Sequence, residues 1–173
     1  MAQWPTIPAG SRIASGLLTS MLPQIMVKGA NTDRATVTSF FDDTDLFASL
    51  EANAVYHATF YLHFAAVDLA RFKTMWNVPA GATGVRSAMG PDQGVVLSGT
   101  SAGGTGRWGV HAFTTSVTYG TRDSPTNQCA AIEEGTITTT SAGTLALQWA
   151  QVSSNATATR LAQGSTLHLR RLA

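Results

Sequence analysis

Gly99-Thr100-Ser101-Ala102-Gly103 satisfies G-x-S-x-G, the pattern in which a hydrolase exposes a serine on a sharp strand-to-helix turn, with backbone N–H groups beside the oxyanion. Here GGTGRWG follows, which is poor material for that helix, and the flanking sequence lacks the alternating strand and helix pattern of a hydrolase sheet. A chance match in a chain rich in Gly, Ala, Ser and Thr is the better reading. The four histidines invite a metal. His57 and His63 fall on one face of an expected strand, but six residues at ~3.3 Å each hold them about 20 Å apart, too far for one ion. His111 and His168 lie on other runs, so a metal site is expected only where subunits share an axis, and hydrogen-bonded strand histidines are the default.

Asp42, Asp43 and Asp45 form an acidic cluster within FFDDTDLF. Calcium loops of the EF-hand type need a turn glycine and a distant glutamate, both missing here, so a solvated turn between strands is expected. Glu133-Glu134 reads as a polar strand edge, with no second carboxylate placed by sequence for glycosidase chemistry. Trp4, Trp76, Trp108 and Trp149 could stack on sugars, yet each also sits where a core or interface aromatic would sit. Cys129, the single cysteine, cannot make an intrachain disulfide and is expected to be buried and inert. Neither a cofactor motif nor an enzyme's constellation of reactive groups emerges.

The elements that must position these residues are β-strands. In VYHATFYLHF, residues 55–64, Tyr56, Ala58, Phe60, Leu62 and Phe64 share one face, and Val55, His57, Thr59, Tyr61 and His63 the other. TLALQWAQ repeats the pattern with Leu145, Leu147 and Trp149, and STLHLRRL buries Leu167 and Leu169 with His168 and Arg170 facing away. Similar runs at IMVK, ATVTSF, MWNV, GVVLS, WGVHAFTTSVTY, GTITT and ATRL are separated by Gly, Pro, Asn, Asp and Ser. Eight to ten short strands with almost no helical pattern predict an all-β, jelly-roll-like sandwich. AVDLARFK, residues 66–73, is expected to be one helical turn or a loop, and LSGTSAGGTGRWG, residues 97–109, a long loop.

Residues 1–30 behave differently. Ile13, Leu17, Leu18, Met21 and Leu22 recur every three to five positions, predicting a helix of about two or three turns that stops near Pro23. So short a helix is unstable alone. Its apolar side packs on its own domain, or it is an arm that docks on a neighbouring subunit or on the surface to which the protein attaches. The expected organisation is a docking arm over 1–30, with Trp4 as an anchor, and a β-sandwich over 31–173.

Composition bounds the partners. Of 173 residues 44% are hydrophobic but only 12% charged, about half of the usual ~25%, and lysine occurs only as Lys28 and Lys73. A polar, weakly charged surface is cheap to desolvate and suits a subunit packed against neighbours. Net charge is +1 with no basic stripe, so direct nucleic-acid binding is not expected. Nor is membrane insertion, since no run of 18 apolar residues occurs. MAQWPTIPAG lacks the pattern of a secretory signal, so synthesis in a cytoplasm is expected, and Asn155-Ala156-Thr157 reads as a chance glycosylation match.

FFDDTDLFASLEANAVYHATFYLHF, VPAGATG at 78–84 and GTLALQWAQVSSNATATRLAQGSTLHLRRLA together resemble a β-domain of tailed bacteriophages of actinobacteria, whose members are described as head decoration, head fibre or minor tail proteins. The resemblance covers roughly residues 31–173, and IPAGSRIASGLLTSMLPQ is similar to the short arm that precedes such domains. It implies a non-enzymatic virion structural protein, jelly-roll-like and homotrimeric, made in the host cytoplasm. With only an arm and a compact domain, the expected role is a capsid decoration (cement) protein on the outer head surface, bound to the major capsid protein. The alternative is a small minor tail or head-fibre protein that binds a host surface or host glycan.

Overall fold

The computed structural model describes residues 7–97 and 106–173. One helix, α1 (Ser15–Ser20), precedes β1 (Gln24–Val27), β2 (Thr32–Arg34), β3 (Phe41–Leu50), β4 (Val55–Ala66), β5 (Phe72–Asn77), β6 (Thr83–Pro91), β7 (Gly106–His111), β8 (Val117–Tyr119), β9 (Ser124–Thr138), β10 (Gly143–Gln151), β11 (Thr159–Leu161) and β12 (Thr166–Arg171). The large sheet runs β1-β12-β4-β9-β6-β7, with β11 and β2 attached at the end of β4, and the small sheet runs β3-β10-β5-β8. All strand pairings between these elements are antiparallel.

Strand order identifies the architecture. Without the β6–β7 hairpin and the short β2–β11 pair, the remaining strands lie first-eighth-third-sixth in one sheet and second-seventh-fourth-fifth in the other. That is the double Greek key of a jelly roll. The chain changes sheets at almost every connection, so most strands need an apolar inner face, and the period-two runs supply it.

Alternation along β4 is as read from the sequence: Tyr56, Ala58, Phe60, Leu62 and Phe64 are buried. Leu145, Leu147 and Trp149 of β10 and Leu167 and Leu169 of β12 join them in one core. Aromatic rings fill the space between the sheets: Phe60 meets Trp76 edge-on at 5.0 Å, and Phe64 stacks on Phe72 at 4.5 Å. Offset and edge-to-face contacts of this kind add to the burial of the rings themselves.

Several elements differ from expectation. ATVTSF, residues 35–40, is irregular; Thr36 takes a φ of 58°, and its N–H donates to the Asn155 carbonyl. Within GVVLS, the described residues 94–97 contribute a single bridge, from Val96 to Thr121. Long β9, Ser124–Thr138, extends well before the expected GTITT: it pairs with β4 continuously from Cys129 onward, and its start, which meets β4 at Ala66↔Ser124, is masked in the sequence by Ser, Thr, Asn and Gln. Gly106–His111 is a strand, so the expected loop 97–109 is shorter at that end. Residues 67–70 make the single turn anticipated there, with Ala70 and Arg71 N–H groups bonding the Val67 carbonyl.

Strand β1 pairs with β12 from Gln24↔Leu169 to Val27↔Thr166. Residues 24–28 therefore belong to the sandwich, and the arm is the segment before Pro23.

Candidate docking surface

The arm is shorter in helix than its periodicity predicts. α1 spans six residues and carries no acidic residue in its first turn and no basic one in its last. Without those charges to complement the helix dipole, and with Gly16 inside and Pro23 just beyond, little sustains further turns. Ile13 therefore precedes the helix, and Met21 and Leu22 follow it. Leu17 is half-buried, whereas Leu18 and Met21 are exposed and Ile13 and Leu22 are 64% and 66% exposed. Four of the five apolar side chains of the arm are therefore exposed. Leu22 borders a shallow pocket of about 140 Å³ with Gln24, Ser49, Glu51, Tyr56 and Leu169 at one end of the sandwich. Trp4 lies outside the described residues, as does Gly99–Gly103.

Apolar exposure continues from the arm onto the sheet. Ile25 and Val27 of β1 point outward, while Met26 between them packs on the core. At the opposite edge of the same sheet Trp108 and Val110 of β7 are 74% and 67% exposed. Tyr61 lies between these edges on the outer face, with its ring against His168 at 5.0 Å.

The histidines occupy the two sides of the large sheet. His57 and His63 share the outer face with Tyr61, as the alternation predicted, and His168 joins them from β12 through the pairing Thr59↔His168. His111 sits at the other edge in register with Arg86 and lines a cleft with Arg107, Gln93 and Tyr119. Among the described residues, no group of three or more His, Cys, Asp or Glu could hold a metal ion.

Both acidic stretches depart from their expected solvated role. Between Ala146↔Phe47 and Gln148↔Asp42 the register of β3 against β10 slips, so residues 43–46 bulge. Asp43 turns inward and is buried. It accepts from Lys28 Nζ at 2.8 Å, from the Asp45 and Leu46 N–H groups at 3.1 Å each, and from Trp149 Nε1 at 3.2 Å. Lys28, fully buried, also reaches Asp45 at 3.1 Å. The cluster is thus a fastener between the end of β1 and the small sheet.

Glu133 is likewise fully buried. It pairs with Arg86, accepts from Trp76 Nε1 and Tyr119 OH at 2.6 Å each, and accepts from Thr74 Oγ1. Arg86 closes the network by donating to the Thr74 carbonyl at 3.1 Å and the Thr115 carbonyl at 2.7 Å. Burial, reinforced by the Glu133 carboxylate, pushes the Tyr119 phenol well above its ordinary range. Ala131, Glu133, Gly135 and Ile137 alternate with Ile132, Glu134 and Thr136, so extending the phase of Ile137 backwards would have turned Glu133 inward. Nothing in the local sequence marked Arg86 or Lys28 as its counterpart type.

The fold and surface define a jelly-roll sandwich with a projecting apolar arm and a sparsely charged sheet face. No family model matches the chain, and no curated protein matches it. Among solved structures it is similar to a chain in a structure of infectious bursal disease virus, Gx strain, at 10% identity and a TM-score of 0.20. That similarity covers 99% of this chain and 41% of the other, so this chain spans about two fifths of that protein's length. The jelly-roll assignment itself rests on the strand order.

Proposed function

We propose that the chain is a non-enzymatic virion structural protein of a tailed bacteriophage, a decoration protein that sits on the outer surface of the head and stabilises it. The carrying observation is the arm: Ile13, Leu18, Met21 and Leu22 are exposed on a segment that leaves the sandwich just before β1. A domain whose strands are already fastened by two buried ion pairs needs no such segment for its own core. The sequence resemblance to phage head decoration proteins supports the same role, with the major capsid protein as partner and a homotrimer as the assembled form.

The action is mechanical. A subunit seated where capsid subunits meet adds buried area across boundaries that packaged DNA would otherwise push apart. At ~25 cal/mol per Å², a few hundred Å² of apolar contact contributes several kcal/mol per site before association costs, repeated over the shell.

The test pairs the full chain with a chain lacking residues 1–22 and with a Leu18→Asp/Leu22→Asp variant, each added to capsids stripped of the protein. Unchanged far-ultraviolet circular dichroism with loss of co-sedimentation is the expected result. Full occupancy by the arm-less chain would overturn the docking role of the arm. Gold-labelled antibody on intact virions should decorate the head evenly; label confined to the tail would instead support a minor tail or fibre protein that meets the host surface.

A further inference from the structure

The outer face of the large sheet carries a mostly apolar line that crosses the six strands from β1 to β7 in register. Val27 pairs with Thr166, Thr166 with Tyr61, Tyr61 with Ile132, Ile132 with Met89, and Met89 with Trp108. At ~4.8 Å per strand the line is about 24 Å long. The adjacent register line ends in Ile25 at one edge and Val110 at the other, with His168, Thr59, Glu134 and Ser87 between.

Two quantities set this face apart. The first is apolar exposure: Ile25, Val27, Tyr61, Val85, Trp108 and Val110 all stand exposed on this one face. A specific interface takes about 800 Å² from each partner, and its centre is where such apolar side chains gather. The second is charge. Among the outward positions of the large sheet the charged side chains are Arg170, Glu134 and, at its β2–β11 end, the mutually paired Arg160 and Asp33, whereas the much smaller sheet opposite carries Asp42, Asp45 and Lys73. Depletion of charge with enrichment of Trp, Tyr and Met is the composition of an interface centre.

We propose that this face is where a second copy of the chain packs. The two unpaired charges on it select that occupant. Arg170 on β12 and Glu134 on β9 are two strands and two residues apart, about 12 Å. Among the described residues neither has an ion-pair partner in its own chain. A neighbouring copy supplies each with the opposite sign, and in a closed ring such as a trimer every subunit gives Arg170 to the next and receives one at Glu134. One unpaired arginine is too little for an anionic membrane or nucleic-acid backbone, and the arm is a separate segment available for another partner. The inference rests on the homotrimer of the proposed function and deepens it by assigning its face; attachment to capsids is tested separately through the arm.

Sedimentation velocity of the full chain over a range of concentrations tests it. The expected result is a closed oligomer of the 18.1 kDa chain. Tyr61→Glu and Trp108→Glu, both at exposed positions, should weaken association at least about tenfold while leaving circular dichroism unchanged. Arg170→Glu should weaken it as well, and Arg170→Glu/Glu134→Arg should restore it, which a merely misfolded variant could not do. A monomer at concentrations up to about 100 μM overturns the proposal. So does an oligomer indifferent to the face variants, one lost only when residues 1–22 are removed, or a monomer whose face variants fail to attach to capsids.

Discussion

Trp76 and Glu133, 57 residues apart and on opposite sheets, meet at 2.6 Å between the indole nitrogen and a carboxylate oxygen. The same chemistry recurs at the other end of the sandwich, where Trp149 donates to Asp43 at 3.2 Å. In each case a large ring fills the core while its one polar atom satisfies a buried acid that also holds a buried cation. Two such fasteners join the sheets from inside, leaving the outer faces free for partners.

Removing the acid strands the cation. Glu133→Ala leaves Arg86 buried without its counter-charge, and the expected loss is about 3–5 kcal/mol, read as a lower urea midpoint. Glu133→Gln keeps the shape and some of the hydrogen bonds and should cost less. Equal midpoints for wild type and Glu133→Ala would contradict the role given to the pair.

Burial, more than the presence of an ion pair, decides its worth. Lys28→Ala leaves Asp43 a buried carboxylate with only N–H donors and should cost about 3–5 kcal/mol. Arg160→Ala removes an exposed pair with Asp33 and should cost under about 1 kcal/mol. The hydrogen bond from Arg160 holds the Asp33 carboxyl below its ordinary range. Its small contribution is therefore present above the unfolded value of about 3.9 and disappears as pH falls through the lowered folded value. Arg160→Ala should differ from wild type at neutral pH and converge with it in acid.

Tyr119 sets an alkaline limit. Burial and Glu133 raise its pKa, so the folded state keeps the proton that the unfolded chain releases above about pH 10. Stability is fully present below that pH and falls as pH rises through the folded value. Phenolate absorbance should lag for one of the three tyrosines and appear together with loss of the folded circular-dichroism signal. In Tyr119→Phe the lagging step should be absent.

Cys129 is buried and its thiol is pushed up by that burial. The thiolate is the reactive form, so modification by a disulfide reagent should be slow in the native protein and complete on unfolding. Fast native labelling would mean that the β4–β9 pairing around Phe64↔Cys129 opens readily.

Period-two alternation made the jelly-roll strands legible, because an inward face must be apolar whatever its partner is. VYHATFYLHF, TLALQWAQ and STLHLRRL declared their buried sides residue by residue. The acids did not. Asp42, Asp43 and Asp45 look alike in sequence, yet only a register slip in β3 turns Asp43 inward to Lys28. Glu133 beside Glu134 is distinguished by which one faces Arg86 across the strand order. Sequence by itself determined which stretches alternate, and hence the fold class. The tertiary structure alone decided which charges are paired and which apolar side chains line up from β1 to β7, because both depend on strands far apart in the chain becoming neighbours.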